Sequence, residues 1–437
     1  MRLKKILWGT LLVYTLFHLG YSVLRYNVFN GVSSGDFNRA YSEAKDWKQG
    51  LDSGKPSLGV FHPPLYYLIL LRMDSLLGGR FPLILFFYFL QFLLFPAAIV
   101  FMVRSAWIGP GPAPWSAYGF AALLAANFQP FLETLAQHKV EGIEFFLIGL
   151  AIWALRKGAD RLCGGLLAFA ANLKYLPAIL LAHFLIKREK RVLLGALAGG
   201  GIIVLLLWTS LGGALFRSGS LRNTADLLLS EKYEGTRPEV SVEFQTLTGT
   251  VNRWLARPAP GERFMKYIEV GSYMPVPRAG LAHGIAFGLQ LAAGVLWIFL
   301  LRRKWSRPRE PGQWVPRLLE ISLSLVMIFF FSRCSRVHYA ILLLPSFIWT
   351  GLLMVQRPDL FGRTGRMLFW TGYAAAGMVV PGGLLNRLPP HPVWGQWYSS
   401  MYLWYSVPFY GYLFLALSAI LCHQRATHSW KGLPNGK

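Results

Sequence analysis

The chain has 437 residues, 54% of them hydrophobic, and 44 Lys and Arg against 20 Asp and Glu give it a formal net charge of +24. Apolar runs that repeatedly reach the roughly 20 residues needed to cross a bilayer exclude an ordinary soluble domain and indicate an all-α polytopic membrane protein. The charge does not point to nucleic acid, because it falls in short clusters between apolar runs ("RKGADR", "KREKR", "RRKWSRPR", "QRPDLFGRTGR"), which is the positive-inside pattern. Three cysteines, an odd number, give no disulfide framework.

In chain order, "MRLKKILWGTLLVYTLFHLG" has a basic flank, a long apolar run and no small-residue cleavage site, and it reads as a retained signal anchor spanning 6–24. Then comes "SSGDFNRAYSEAKDW", in which Asp36 precedes apolar positions Phe37, Ala40, Tyr41, Ala44, Trp47 and Leu51 at helical spacing, with Arg39, Glu43, Asp46 and Lys48 between them. This predicts a helix lying in the membrane interface with Asp36 at its N-terminus. An ionised carboxylate there is either a helix cap or a general base, and residue type does not separate the two. "FHPPLYYLILLRMDSLLGG", residues 61–79, predicts a re-entrant or surface-lying helix on the outer side, opened by a proline pair, with His62 facing water or substrate.

Further spans are expected at 81–103, 117–132, 142–155, 191–210, 281–301, 318–332, 338–355, 367–385 and 400–422. Residues 162–186 lie between two basic clusters that both belong inside, so the chain must leave and return within them. A hairpin of two short helices does this, each arm about 11 residues or roughly 16 Å long, with Lys174 at its tip. A cation in so apolar a stretch either snorkels to the interface or meets an anion. The termini and "KREKR" then face the cytoplasm. A first outer loop at 25–80 and a second at 212–280 face outside, as part of one transmembrane domain over 1–437.

The order of basic N-terminus, span, "GDFNRAYSEA", "PPLYYLIL" and many spans resembles the GT-C superfamily of polyprenyl-phosphate-sugar-dependent glycosyltransferases. "GLLAFAANLKYLPAILLAHFLIKREKRVL", "EFQTLTGTVNRWL" and "SRVHYAILLLP" are similar, in that order, to motifs of the bacterial GT87 group, which includes polyprenyl-phosphate-mannose-dependent mannosyltransferases. The resemblance implies a GT-C-type fold of about 12 membrane-embedded helices including the re-entrant hairpin. It also implies a site facing outside the cytoplasmic membrane, Asp36 as catalytic base, and Lys174, His338 and Arg336 as groups for the donor phosphate or sugar. Two departures bear on the sugar or acceptor: the group's "GQ" before the fourth span is here His138 and Lys139, and its "NQS" is Phe244, Gln245 and Thr246.

His62, Gln245, Lys139 and Glu141 are expected to touch acceptor or substrate. His138, Glu141 and Glu144 recur at i, i+3 and i+6, a spacing a divalent cation could use, but a charged helix start facing water explains the same residues and no metal or other cofactor is assigned. The function expected is inverting transfer of a sugar, mannose or another hexose or pentose, from a polyprenyl-monophosphate donor to a lipid or cell-envelope glycan. Membrane lipid is the other partner and nucleic acid is none. The alternative is a lipid or glycan transporter or flippase, against which the absence of a second broken hairpin counts.

Overall fold

The computed structural model describes residues 35–53, 62–109, 111–136, 140–211, 239–240, 245–263, 274–302, 310–332, 337–377 and 405–429. They are almost wholly helical, as an all-α membrane protein requires. Six of the described helices are long and apolar enough to cross a bilayer: 80–106, 190–211, 279–301, 312–331, 339–356 and 407–427. The expected first span, 6–24, lies outside the described residues. The chain divides into two compact units: Met1–Ser105, Ala113–Leu181 and Lys190–Ser230 form the first, and Ala106–Pro112, Ala182–Glu189 and Glu231–Lys437 the second.

In the first unit, α1 (Gly35–Ser53) places Phe37, Ala40, Tyr41, Ala44, Trp47 and Leu51 on one buried face. That face meets α2 (Pro64–Leu77) and α3 (Arg80–Ala106), with Trp47 against Tyr67 and Phe37 against Phe87. The periodicity read from the sequence is therefore correct, but the stripe is covered by protein where an interfacial helix would give it to lipid. α2 opens with a proline at its first helical turn and closes on Gly78, whose φ of 77° is the left-handed region that glycine tolerates. It is 14 residues long, about 21 Å, and so is shorter than a full crossing.

The expected span 117–132 is two helices, α4 (Trp115–Ala126) and α5 (Gln129–Ala136). Asn127 turns its side-chain amide back onto Leu123 O at 2.9 Å, and Pro130 brings no N–H to continue the ladder, so the helix stops and restarts. α6 (Glu141–Lys157) then packs on α7 (Asp160–Leu173), and α7 on α9 (Lys190–Leu211). Between α7 and α9, backbones touch through small residues. A Cβ on Gly195 would lie 2.0 Å from Arg161 O, and one on Gly164 1.9 Å from Val192 O. The other side of α9 exposes Leu194, Leu197, Ile202, Leu205 and Trp208, as a lipid-facing helix does. The expected break after α7 is present, since α8 (Ala178–Ile186) starts only after Pro177.

In the second unit, β1 (Glu239–Val240) pairs antiparallel with β2 (Met274–Pro275). They bracket α10 (Leu247–Leu255), which packs on α11 (Ala279–Leu301). Gln290 of α11 donates to Thr248 Oγ1 at 3.2 Å and to Phe330 O at 2.9 Å, so it ties α10 to α12 (Pro311–Phe331). A 3₁₀ segment Val337–Leu343 leads into α13 (Leu344–Gln356), followed by α14 (Pro358–Gly377) and α15 (Val407–Ser429). The "KREKR" cluster is more than a row of topogenic charge. Lys187 is buried against Glu320 of α12 at 2.8 Å, which also meets His423, and Arg317 pairs with Glu189. Charges so deep hold only because each has a partner.

The glycine contact between α7 and α9 generates a matched pair of substitutions. Gly195→Ala should lower thermal stability in detergent by about 1–3 kcal/mol, because a methyl group cannot fit against Arg161 O. Gly200→Ala, on the same helix with open space around it, should be neutral or slightly stabilising. Equal thermal midpoints for the two variants would show that the helices do not rely on this contact.

Candidate functional site

The site in the first unit grows from the way α7 ends. Lys174 caps α7 in an extended conformation (φ −156°, ψ 145°), with its N–H still bonded to Ala170 O at 3.2 Å, and Pro177 then starts the next turn. The ammonium reaches Glu141 Oε1, at the first turn of α6, in a short ion pair. Glu141 is almost fully buried and the Lys174 side chain is 12% exposed, so the pair stands at the edge of the protein interior. Glu144, one turn further along α6, is fully buried, and neither of its oxygens has a hydrogen-bond partner among the described residues.

A second charged layer lies beside the first. Glu43 of α1 accepts from Arg39 Nε at 2.9 Å and from the Tyr67 hydroxyl at 3.0 Å. The same hydroxyl accepts the His62 backbone N–H at 3.2 Å, fixing the residue that precedes the proline pair. The His62 ring packs on Tyr66, with centroids 4.9 Å apart, and its Nδ1 lies 3.6 Å from Glu43 Oε2. Burial works against the Glu43 carboxylate, but His62, Arg39 and Tyr67 together outweigh it and hold the pKa below the ordinary 4.5. Burial, helped by the Lys174 charge, pushes the His62 imidazole below its ordinary 6.5 despite Glu43 and Glu141. A neutral imidazole backed by a carboxylate is thus held within electrostatic reach of the Lys174–Glu141 pair.

Of the residues singled out in the sequence, the structure brings together His62, Glu141 and Lys174. Asp36 lies in the first turn of α1, one residue past its start, and its side chain is outside the described residues. Glu43 follows it by seven positions, about two turns of helix. Gln245 is fully buried in the second unit, ahead of α10, where Thr246 is the N-cap and accepts from Gly249 N at 3.0 Å. His338 sits in the 3₁₀ segment with its side chain undescribed, and His138, Lys139 and Arg336 lie outside the described residues. Sequence reasoning missed Glu43, Arg39 and Tyr67 as site residues. The signal available was the i, i+4 pair Arg39–Glu43 between the apolar positions of α1. Among the described residues, no group of three or more His, Cys, Asp or Glu could hold a metal ion.

The segment that carries this geometry is also the one that known proteins recognise. Residues 61–239 match the model of glycosyltransferase family 87. The family read from the sequence is thus borne out over a stretch that includes His62, Glu141, Glu144 and Lys174. The match supports glycosyltransferase activity for this membrane protein. No curated protein and no solved structure matches the chain.

Both ionisable members of the second layer, His62 and Glu43, lose stability in acid. His62 has its folded pKa below the unfolded 6.5, so the unfolded chain binds more protons there and stability falls as pH drops below 6.5. Glu43 keeps its contribution above 4.5 and loses it as pH falls through its lower folded value. His62→Gln should therefore flatten the decline in thermal midpoint that begins near pH 6.5 and, because His62 is among the groups that lower the Glu43 pKa, should also shrink the one below 4.5. Identical pH profiles for parent and variant would place the His62 ring in water.

Proposed function

We propose that the protein transfers a sugar, mannose or another hexose or pentose, from a polyprenyl-monophosphate donor to a lipid or cell-envelope glycan at the outer face of the cytoplasmic membrane, with inversion. The observation that carries this reading is the Lys174–Glu141 pair at the broken end of α7, inside the segment matched to family 87. An ammonium has three protons, so its engagement by Glu141 is compatible with a phosphate oxygen as a further partner. Glu141 holds the cation in place before the donor arrives.

In the reaction, Asp36 accepts the proton of an acceptor hydroxyl while that oxygen forms its bond to the anomeric carbon. The bond from that carbon to the phosphate oxygen breaks, and the electron pair leaves with the polyprenyl phosphate. Lys174, with His338 or Arg336, offsets the charge that develops on the departing phosphate. His62, Lys139, Glu141 and Gln245 are proposed to contact acceptor or sugar. Attack from the face opposite the leaving group inverts the anomeric centre.

Two substitutions test the roles in a transfer assay with purified protein. Asp36→Asn should lower transfer by about 10²- to 10⁴-fold at normal expression and insertion, since asparagine removes proton acceptance while keeping size and helix-start propensity. Transfer within about threefold of the parent would move the base elsewhere. Lys174→Ala should raise the donor concentration needed for half-maximal rate more than the acceptor concentration. Equal shifts for both substrates would return Lys174 to a structural role.

A further inference from the structure

In the second unit, a cavity of about 490 Å³ opens between the end of α10 and the start of α15, lined chiefly by Arg253, Trp254, Arg257, Tyr405 and Tyr410. Its volume falls in the range that small ligands occupy. The two arginines play different parts in it. Arg253 is buried, and its Nε and Nη2 donate to Ser406 Oγ at 3.1 and 2.7 Å, with Thr250 Oγ1 a further acceptor at 3.4 Å. Ser406 has a φ of 59°, a left-handed conformation that serine adopts only where its surroundings impose it, so Arg253 is a fixed part of the wall. Arg257 is held by its backbone, whose N–H donates to Pro275 O of β2 at 3.0 Å, while its guanidinium donates only from Nη1, to Ala256 O at 3.0 Å. The Nε–Nη2 edge of Arg257 and the hydroxyls of Tyr405 and Tyr410 make no hydrogen bond among the described residues.

These uncommitted groups describe a ligand. A guanidinium edge with two parallel N–H groups matches a planar carboxylate, two donors to two oxygens. With Arg253 engaged by Ser406, the cavity offers one such edge and suits a single negative charge, and no carboxylate among the lining residues competes for it. Trp254 and Tyr405, 53% and 60% exposed, present flat apolar faces, and the hydroxyls of Tyr405 and Tyr410 can each donate and accept. A sugar ring has the complementary surface, with apolar C–H groups on its faces and hydroxyls around its edge. A fatty acid would satisfy the guanidinium and the rings but leave both tyrosine hydroxyls unpaired. Tyr405 and Ser406 immediately precede residues 407–427, a candidate membrane span, so the cavity lies at the mouth of that span, where a polar ligand can enter from water.

We propose that this cavity binds a uronic acid unit of a glycan, with its carboxylate on the Nε–Nη2 edge of Arg257, a ring face against Trp254, and its hydroxyls on Tyr405 and Tyr410. Binding needs neither donor nor turnover and so stands apart from the sugar-transfer reading. Only the use of the bound glycan as acceptor rests on that reading, and it narrows the acceptor to an acidic glycan.

The test is saturation-transfer NMR on the full chain in zwitterionic nanodiscs, without any sugar donor, using methyl glucuronide as probe and methyl glucoside, glucose 6-phosphate and hexanoate as comparators. The parent should bind the glucuronide about tenfold more tightly than the glucoside, as a hydrogen-bonded charge pair implies, with the strongest saturation on the ring C–H protons. Arg257→Gln should abolish that preference while leaving weak binding of both sugars. Trp254→Ala should weaken both sugars about fivefold, and Trp254→Phe, which keeps a flat ring, should recover most of the loss. Both side chains are exposed, so all three variants should keep the parent's thermal midpoint. Equal affinity of the parent for glucuronide and glucoside, or glucuronide binding unchanged in both Arg257→Gln and Trp254→Ala, overturns the assignment. So does tighter binding of glucose 6-phosphate, which would put a phosphate in place of the carboxylate, or displacement of the glucuronide by equimolar hexanoate, which would make the cavity an amphiphile site. Glucuronide binding by a chain that transfers no sugar would leave this site standing and remove the transfer reading, and transfer by a chain that binds no glucuronide would do the reverse.

Discussion

A cation that ends a helix inside an apolar stretch must be neutralised where it stands, and the first unit is arranged around that need. Lys174 falls at the C-terminal end of α7, where the helix dipole welcomes positive charge, and Glu141 at the N-terminal end of α6, where it welcomes negative charge. Because α6 and α7 are consecutive packed helices, the start of one lies beside the end of the other. The ion pair is thus favoured by both helix ends before its own Coulomb attraction is counted. Its removal on one side only would leave a buried charge without compensation, the costliest outcome available to such a pair.

The glycine contacts of α7 set where that pair can form. With backbone against backbone at Gly164 and Gly195, α7 cannot slide along α9 without a clash, so the position of Lys174 follows from packing some ten residues away. On the other side, α1 lies over α2 through Trp47 and Tyr67 and brings Glu43 to His62. Tyr67 serves both layers: its ring fills the core while its hydroxyl joins Glu43 to the His62 backbone. Packing and electrostatics are therefore coupled at single residues, and a change to the aromatic core would be felt in the ionisable cluster.

Much of this was legible in the sequence, for physical reasons that can be named. Apolar runs of bilayer length gave α3, α9 and α11 nearly to the residue, because lipid imposes both composition and length. The helical spacing after Asp36 gave the buried face of α1, and the Lys174–Pro177 break was visible from one cation and one proline. What periodicity could not say was which surface covers a stripe, so α1 was expected on lipid and lies on protein. It also could not foresee the stop at Asn127, where a side chain competes with the backbone ladder inside an otherwise apolar run. Glu43 escaped because a glutamate paired at i, i+4 on a polar face looks the same whether water or His62 lies opposite.

The candidate catalytic groups stand on unequal footings, and the difference has a consequence for mechanism. Lys174, Glu141 and His62 lie within residues 61–239, whereas Asp36 precedes them and owes its assignment to the resemblance of its loop and to its place in the first turn of α1. If proton acceptance did not rest on Asp36, Glu141 would be a poor substitute, since its carboxylate is already engaged by the Lys174 ammonium. His62 would be the better one. Its burial and the Lys174 charge keep the imidazole neutral and able to accept, and Glu43 stands behind it to stabilise the imidazolium that acceptance creates. With Lys174 and Glu141 engaged with each other, His62 is the group of the cluster left to accept a proton.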